Sequence, residues 1–116
     1  NKDKNLELFA QQEFKGNSSS EICSGFYIIR STDNTKKYFN SNYFLKNNNY
    51  YCNDQYYVNS IRHNLKWEYL PINLFPNGAY FYDHHKNREE SYIIHFNFVK
   101  FDQKEGRMKR YNKWFL

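Results

Sequence analysis

Two cysteines in 116 residues, Cys23 and Cys52, are too few for a disulfide framework, which excludes the small secreted scaffolds that depend on one. They leave open a single bridge or two reduced, buried thiols. No apolar run comes near the roughly 18 residues that a membrane-crossing helix needs. No secretory signal is visible. An internal repeat, a linker of biased composition and an RNA-binding motif are also lacking. The length fits one domain or a piece of one. A start at Asn1 rather than Met is expected of a piece of a longer polypeptide or a processed product.

What the chain has in quantity is aromatic surface, with 12 Tyr, 11 Phe and 2 Trp. Each ring buries a large apolar area, so a core is attainable even at a mean hydropathy of −1.03. The abundant Asn and Lys, together with Tyr and Phe, match the bias of an A+T-rich coding sequence, so most Asn residues need no structural role. Seventeen Lys and Arg against 12 Asp and Glu give a net charge of +5 and a pI near 9.1. That balance suits phosphate-bearing ligands, nucleic acid or anionic surfaces, without choosing among them.

The apolar, β-branched and aromatic run Ile22–Arg30 predicts a buried strand, with Gly25 marking a bulge or a close backbone approach. Ser31 to Thr35 supplies capping residues for a helix over Lys36–Leu45. Asn53 or Asp54 caps a second helix, with Tyr57, Val58, Ile61 and Leu65 at helical spacing. Trp67–Leu70, Ala79–Tyr82 and Ser91–His95 read as short strands, and Phe75-Pro76-Asn77-Gly78 as a turn. Asp83–Glu90 reads as a charged loop, and a helix is expected around Lys104–Tyr111. Strands alternating with helices give an α/β domain with a mixed sheet and flanking helices.

Several segments, in this order, resemble the nucleotide-diphospho-sugar transferases of the GT-A fold. Leu8-Phe9-Ala10-Gln11-Gln12 looks like a segment that precedes a strand in that family. Cys23-Ser24-Gly25-Phe26-Tyr27-Ile28-Ile29-Arg30-Ser31-Thr32 is similar to its "(N/S)(T/S)GFx(F/Y/I)(I/V)(R/K)(S/P)T" strand. Asp54-Gln55 matches its "DQ", Leu74–Phe81 its "LFPNGxYF", and Ile94–Val99 its "(V/I)HxN(W/F/Y)(I/V)". Arg107-Met108-Lys109-Arg110-Tyr111 with Trp114 matches its "RMKxYxxW" tail. The likeness spans nearly the whole chain but corresponds to the C-terminal part of such a Rossmann-like domain. The family's Asp-x-Asp and its nucleotide-binding βαβ half are expected upstream of Leu8, and no Asp-x-Asp occurs in these 116 residues.

The resemblance implies transfer of a sugar from a nucleotide-diphospho-sugar donor to a hydroxyl of a glycan, protein or small molecule, with retention. It implies that His95 completes a Mn²⁺ (or Mg²⁺) site begun by the missing carboxylates, so that the ion binds only in the complete domain. One imidazole with carboxylate and diphosphate oxygens suits such an ion. Asn97, on the same face of an extended strand, would orient His95 or contact the donor. Lys100, Lys104 and Arg107 offer charge to the diphosphate, and Gly25 lets backbone approach the donor. Asp54 and Gln55 would stand at the reacting sugar, although Asp54 is also a ready N-cap. Phe101 stands where the family has a Gly, which removes one close approach to the phosphates. His84-His85 point to opposite sides of an extended segment and read as loop histidines, and His63 as an exposed helical one.

Two further readings compete. One is a non-catalytic component of a larger assembly, favoured by Phe101 and the missing Asp-x-Asp. The other is a basic, aromatic nucleic-acid surface, which the core spacing of the aromatics disfavours. A partial domain would expose a sheet edge, so the rest of its own chain or a partner subunit is expected to cover it. Eukaryotic relatives face the Golgi lumen, and the compartment of this chain is left open.

Overall fold

A computed structural model of the protein describes residues 5–16, 21–47 and 53–113. Cys52 and Trp114 lie outside those residues, and with them the bridge between Cys23 and Cys52 and the end of the C-terminal motif. Three strands, β1 (Leu8–Gln12), β2 (Ile22–Ile29) and β3 (Trp67–Tyr69), form a mixed sheet in the order β2-β1-β3. β2 runs antiparallel to β1, and β3 parallel to it. The helices are α1 (Asp33–Tyr38), α2 (Ser41–Asn47), α3 (Asp54–Ile61), α4 (Gly78–Asp83) and α5 (Phe101–Arg110), with short 3₁₀ turns at Arg62–Asn64 and Arg88–Glu90. This is the mixed sheet with flanking helices expected of the α/β class.

β1 is the central strand rather than a segment ahead of one. Leu8, Ala10 and Gln11 are fully buried because β1 has a strand on each side. Leu8, Ala10 and Ile22 pack against Tyr38, Tyr57, Val58, Ile61 and Leu65, so the helical spacing in α3 and its 3₁₀ extension is the core face it predicted. A second cluster joins Phe81, Tyr82 and Phe96 to Met108 and Tyr111, fixing α5 on α4.

Three expectations are corrected. Lys36–Leu45 is two helices. Thr32 caps α1 in a reciprocal capping box with Thr35, α1 ends at Phe39, and Asn40 Oδ1 accepts from Asn42 N–H at 2.8 Å at the start of α2. Asn40 and Ser41 offer the backbone local hydrogen bonds that compete with a continuous helix. Ala79–Tyr82 is helical, not a strand. Asn77, expected as a turn residue, caps α4 by accepting from Tyr80 N–H at 3.1 Å, and the adjacent Phe81 and Tyr82 are both buried in the second core.

Ser91–His95 forms no strand. Tyr92 N–H and Ile93 N–H both turn to the Leu74 carbonyl, Tyr92 is exposed, and His95 pairs only through an isolated parallel bridge to Asn77. The Asp83–Glu90 segment is more ordered than a charged loop. Its His85 is buried, with Nε2 donating to the Asn73 carbonyl and Nδ1 accepting from Asn87 N–H, a structural role consistent with reading the pair as loop histidines.

Candidate functional site

The site begins with a bulge. Ala10 of β1 pairs with Tyr27 while the next residue, Gln11, pairs with Cys23, so Ser24-Gly25-Phe26 stand outside the regular ladder. Gly25 is therefore both a bulge residue and a point of close approach. A β-carbon there would lie 2.0 Å from His95 Nδ1 and 2.1 Å from Cε1, far inside van der Waals contact. The imidazole lies directly on the Gly25 backbone.

β1 holds His95 in place. The Gln11 amide group, fully buried, donates to the carbonyls of Phe75 (3.0 Å) and Pro76 (2.9 Å). The Pro76 carbonyl in turn accepts from His95 N–H at 3.1 Å. Asn77 Nδ2 donates to Phe14 O, closing the link between the end of β1 and the start of α4. Gln11 and Asn77 carried no functional mark in the sequence, since their roles arise from backbone partners 63 to 65 residues away.

Cys23 Sγ lies 3.4 Å from His95 Nδ1. Burial pushes the Cys23 thiol up to about 12, opposed by the Gly25 backbone N–H and reinforced by the nearby carboxylates of Glu13 and Asp54. The sulfur is thus a protonated thiol, and with His95 Nδ1 turned to it, Nε2 faces away with no hydrogen bond among the described residues. Burial, then the charge of Lys104, hold the His95 pKa below its ordinary value, with Glu13 pulling the other way. The ring is consequently neutral at pH 7, the form that binds a metal. Glu13, almost completely buried, is a further residue that sequence reasoning missed.

α3 supplies the neighbouring wall. Asn53, not Asp54, is its N-cap, accepting from Tyr56 N–H at 2.9 Å. That leaves Asp54 exposed in the first turn, its Oδ1 accepting from Gln55 N–H, while Gln55 Oε1 accepts from Ser24 N–H at 3.2 Å, beside Gly25. Asn59 pins the same junction by a two-way pairing with the Ile22 backbone, 2.8 Å in each direction.

The remaining sequence-derived candidates spread out. Asn97 lies beyond a tight turn at His95, with its N–H donating to the His95 carbonyl. Its Oδ1 accepts from Gly78 N–H at 2.6 Å and its own carbonyl accepts from Tyr82 O–H. It steadies the His95 backbone rather than the ring, because no strand places the two side chains on one face. Gly78 meets Asn97 so closely that a β-carbon would sit 2.2 Å from its carbonyl oxygen. Lys104 lies within electrostatic range of His95. Arg107 stacks over the Tyr82 ring, 5.0 Å from its centroid, in a cavity of about 420 Å³ that Lys15 shares. Lys100 is exposed ahead of α5, and Phe101, at the position of the family glycine, is 94% exposed.

Among the described residues no group of three or more His, Cys, Asp or Glu side chains could hold a metal. The donor set here fits one neutral imidazole of a shell, not a shell.

A strand glycine thus lies under an imidazole, flanked by the first turn of a helix. The sequence pattern of the nucleotide-diphospho-sugar transferases matches residues 5–110, and the chain belongs to that family. It is also similar to the UDP-galactose:fucoside alpha-3-galactosyltransferase of Dictyostelium discoideum, at 24% identity over 98% of this chain. The chain spans about a fifth of the length of that relative, 20%. No solved structure matches.

Proposed function

We propose that this chain supplies the C-terminal part of a GT-A active site, which moves a sugar from a nucleotide-diphospho-sugar to a hydroxyl acceptor with retention. The observation that carries the reading is the neutral His95 ring seated on the Gly25 backbone, with Asp54 and Gln55 on the adjoining helix turn. His95 would hold a Mn²⁺ or Mg²⁺ ion through Nε2, with carboxylates of the family's Asp-x-Asp from outside these residues completing the shell. When bound, such an ion takes up charge that develops on the departing nucleoside diphosphate.

The chain's own residues then divide the work. Cys23 holds His95 Nδ1 and so presents Nε2. Gln55 anchors the bulge, which keeps the Gly25 backbone in place beneath the His95 ring. Asp54 offers an exposed carboxylate that accepts hydroxyl hydrogen bonds or faces the positive charge growing on the sugar. Lys104 and Arg107 attract the diphosphate from α5. The relative's name pairs UDP-galactose with a fucoside, and a UDP-hexose donor is the first to test here.

A second reading, a non-catalytic component of a larger assembly, is favoured by Phe101, whose bulk stands where a glycine would admit phosphate. The full-length parent decides between the two. Under the first reading, Mn²⁺-dependent transfer from UDP- or GDP-sugars falls at least about 100-fold in His95→Ala. A parent that binds no nucleotide-sugar at all sinks it.

A further inference from the structure

Beyond His95, the C-terminal half of β2 opens onto a separate cleft. Tyr27 and Phe39 pack on each other to form its aromatic side, with ring centroids 6.1 Å apart and planes inclined by 39°. Tyr57 is buried at its base, its O–H donating to the Tyr38 carbonyl. The polar rim is Asn40, Ser41 and Asp54, all exposed. The cavity measures about 270 Å³.

We propose that this cleft binds the sugar ring of the hydroxyl acceptor. The inference rests on the glycosyltransferase reading and deepens it. Aromatic walls with a few convergent polar groups are the general form of a small-ligand site. A sugar ring matches that form, laying one apolar C–H face on the contiguous Tyr27–Phe39 pair and turning its edge hydroxyls to Asn40, Ser41 and Asp54. The volume lies below the roughly 300 Å³ at which pockets for drug-sized ligands begin, so it suits one ring rather than a nucleotide.

Charge selects the acceptor over the donor. No Lys or Arg lines the cleft among the described residues, and Asp54 repels an anionic diphosphate. The cationic Lys104 and Arg107 lie instead on α5, and Lys104 acts on His95. Position agrees with charge. Tyr27 is two residues from Gly25 along β2, roughly 7 Å at strand rise. Asp54 belongs to both places, lining the cleft and acting on Cys23 beneath His95. A ring held in the cleft presents an edge hydroxyl to Asp54, which accepts its hydrogen bond and points its oxygen toward the donor.

The test uses the full-length parent, with the methyl glycosides of α-L-fucose, β-D-galactose and α-D-glucose as acceptor probes and UDP and GDP as nucleotide probes. Binding is read by saturation-transfer NMR and titration. Two variants are compared, Tyr27→Ala, which removes part of the aromatic side, and Ser41→Trp, which fills the mouth from an exposed position. At least one glycoside is expected to bind, and its Kd to rise tenfold or more in both variants while a nucleotide still binds. Glycoside binding that is equal in all three proteins overturns the proposal, as does nucleotide binding with no glycoside binding. Loss of nucleotide affinity in the variants, with glycoside binding intact, assigns the cleft to the donor and overturns it too. A parent that binds a glycoside in the cleft but no nucleotide keeps the cleft and sinks the transferase reading. Absence of both overturns both.

Discussion

Gly25 has little freedom to change. Its neighbour is the ring of His95, whose backbone is fixed by the Pro76 carbonyl and whose Nδ1 meets Cys23 Sγ, so the imidazole does not swing away freely. Gly25→Ala is expected to cost about 1–3 kcal/mol by overpacking and to turn the ring off its Nδ1 contact. A thermal melt reads the first effect and the ¹⁵N shifts of His95 the second; unchanged ring shifts would refute the contact.

The protonation of His95 gives a second residue-scale prediction. Its pKa is lowered, so the neutral form persists below the pH at which an ordinary imidazole is half charged, near 6.5. Mn²⁺ binding by the full-length protein should therefore hold through pH 6.5 and weaken only as the pH falls through the depressed value. A binding curve already halved at pH 6.5 would contradict the assignment.

At the scale of elements, Glu7 joins three of them. Its carboxylate accepts from Lys66 N–H ahead of β3, from Asn34 Nδ2 in α1 and from the Thr32 hydroxyl that caps α1. The Lys66 backbone N–H is the main reason its pKa is lowered, with Asn34 and Thr32 adding to it against the cost of burial. A depressed carboxylate contributes stability that is present above its unfolded pKa, near 4.3, and lost as pH falls through the folded value. Glu7→Gln keeps the shape and loses the charge. The melting temperature of the variant should fall at pH 7 and vary less between pH 5 and pH 3 than that of the parent. An equal acid response in both would show that Glu7 is not part of it.

At the scale of the molecule, the described residues form a sheet of three strands with β2 at its edge. Tyr27, Ile28 and Ile29 on that strand are more than a third exposed, and Phe98 and Phe101 are exposed near α5. An apolar edge strand recruits another strand or surface. The isolated 116-residue segment is expected to self-associate or to melt without cooperativity. Circular dichroism with sedimentation measures this, and a cooperative melt of a monomer would count against it.

β2, β3 and α3 were legible in the sequence as elements, but β1 was not seen as the central strand, and β2, expected to be buried, exposes Tyr27, Ile28 and Ile29 because it lies at the sheet edge. The run Ile22–Ile29 is β-branched and aromatic, and Tyr57, Val58 and Ile61 recur at the helical period. Ala79–Tyr82 and Ser91–His95 misled because aromatic or apolar residues in a row satisfy a strand or a buried helix equally well. For the first, Asn77 and the second core chose the helix; for the second, the Leu74 carbonyl and Asn77 drew the chain away from the sheet.

The site divides along the same line. The sequence by itself determined that a glycine, an Asp-Gln pair and a histidine of this family were present, since a motif is a matter of residue type and spacing. Only the tertiary structure decided that His95 rests on Gly25, that Cys23 and Glu13 stand behind it, that Gln11 holds its backbone, and that Asn53 frees Asp54 from capping. Those facts depend on contacts between residues up to 72 apart, which no local pattern encodes.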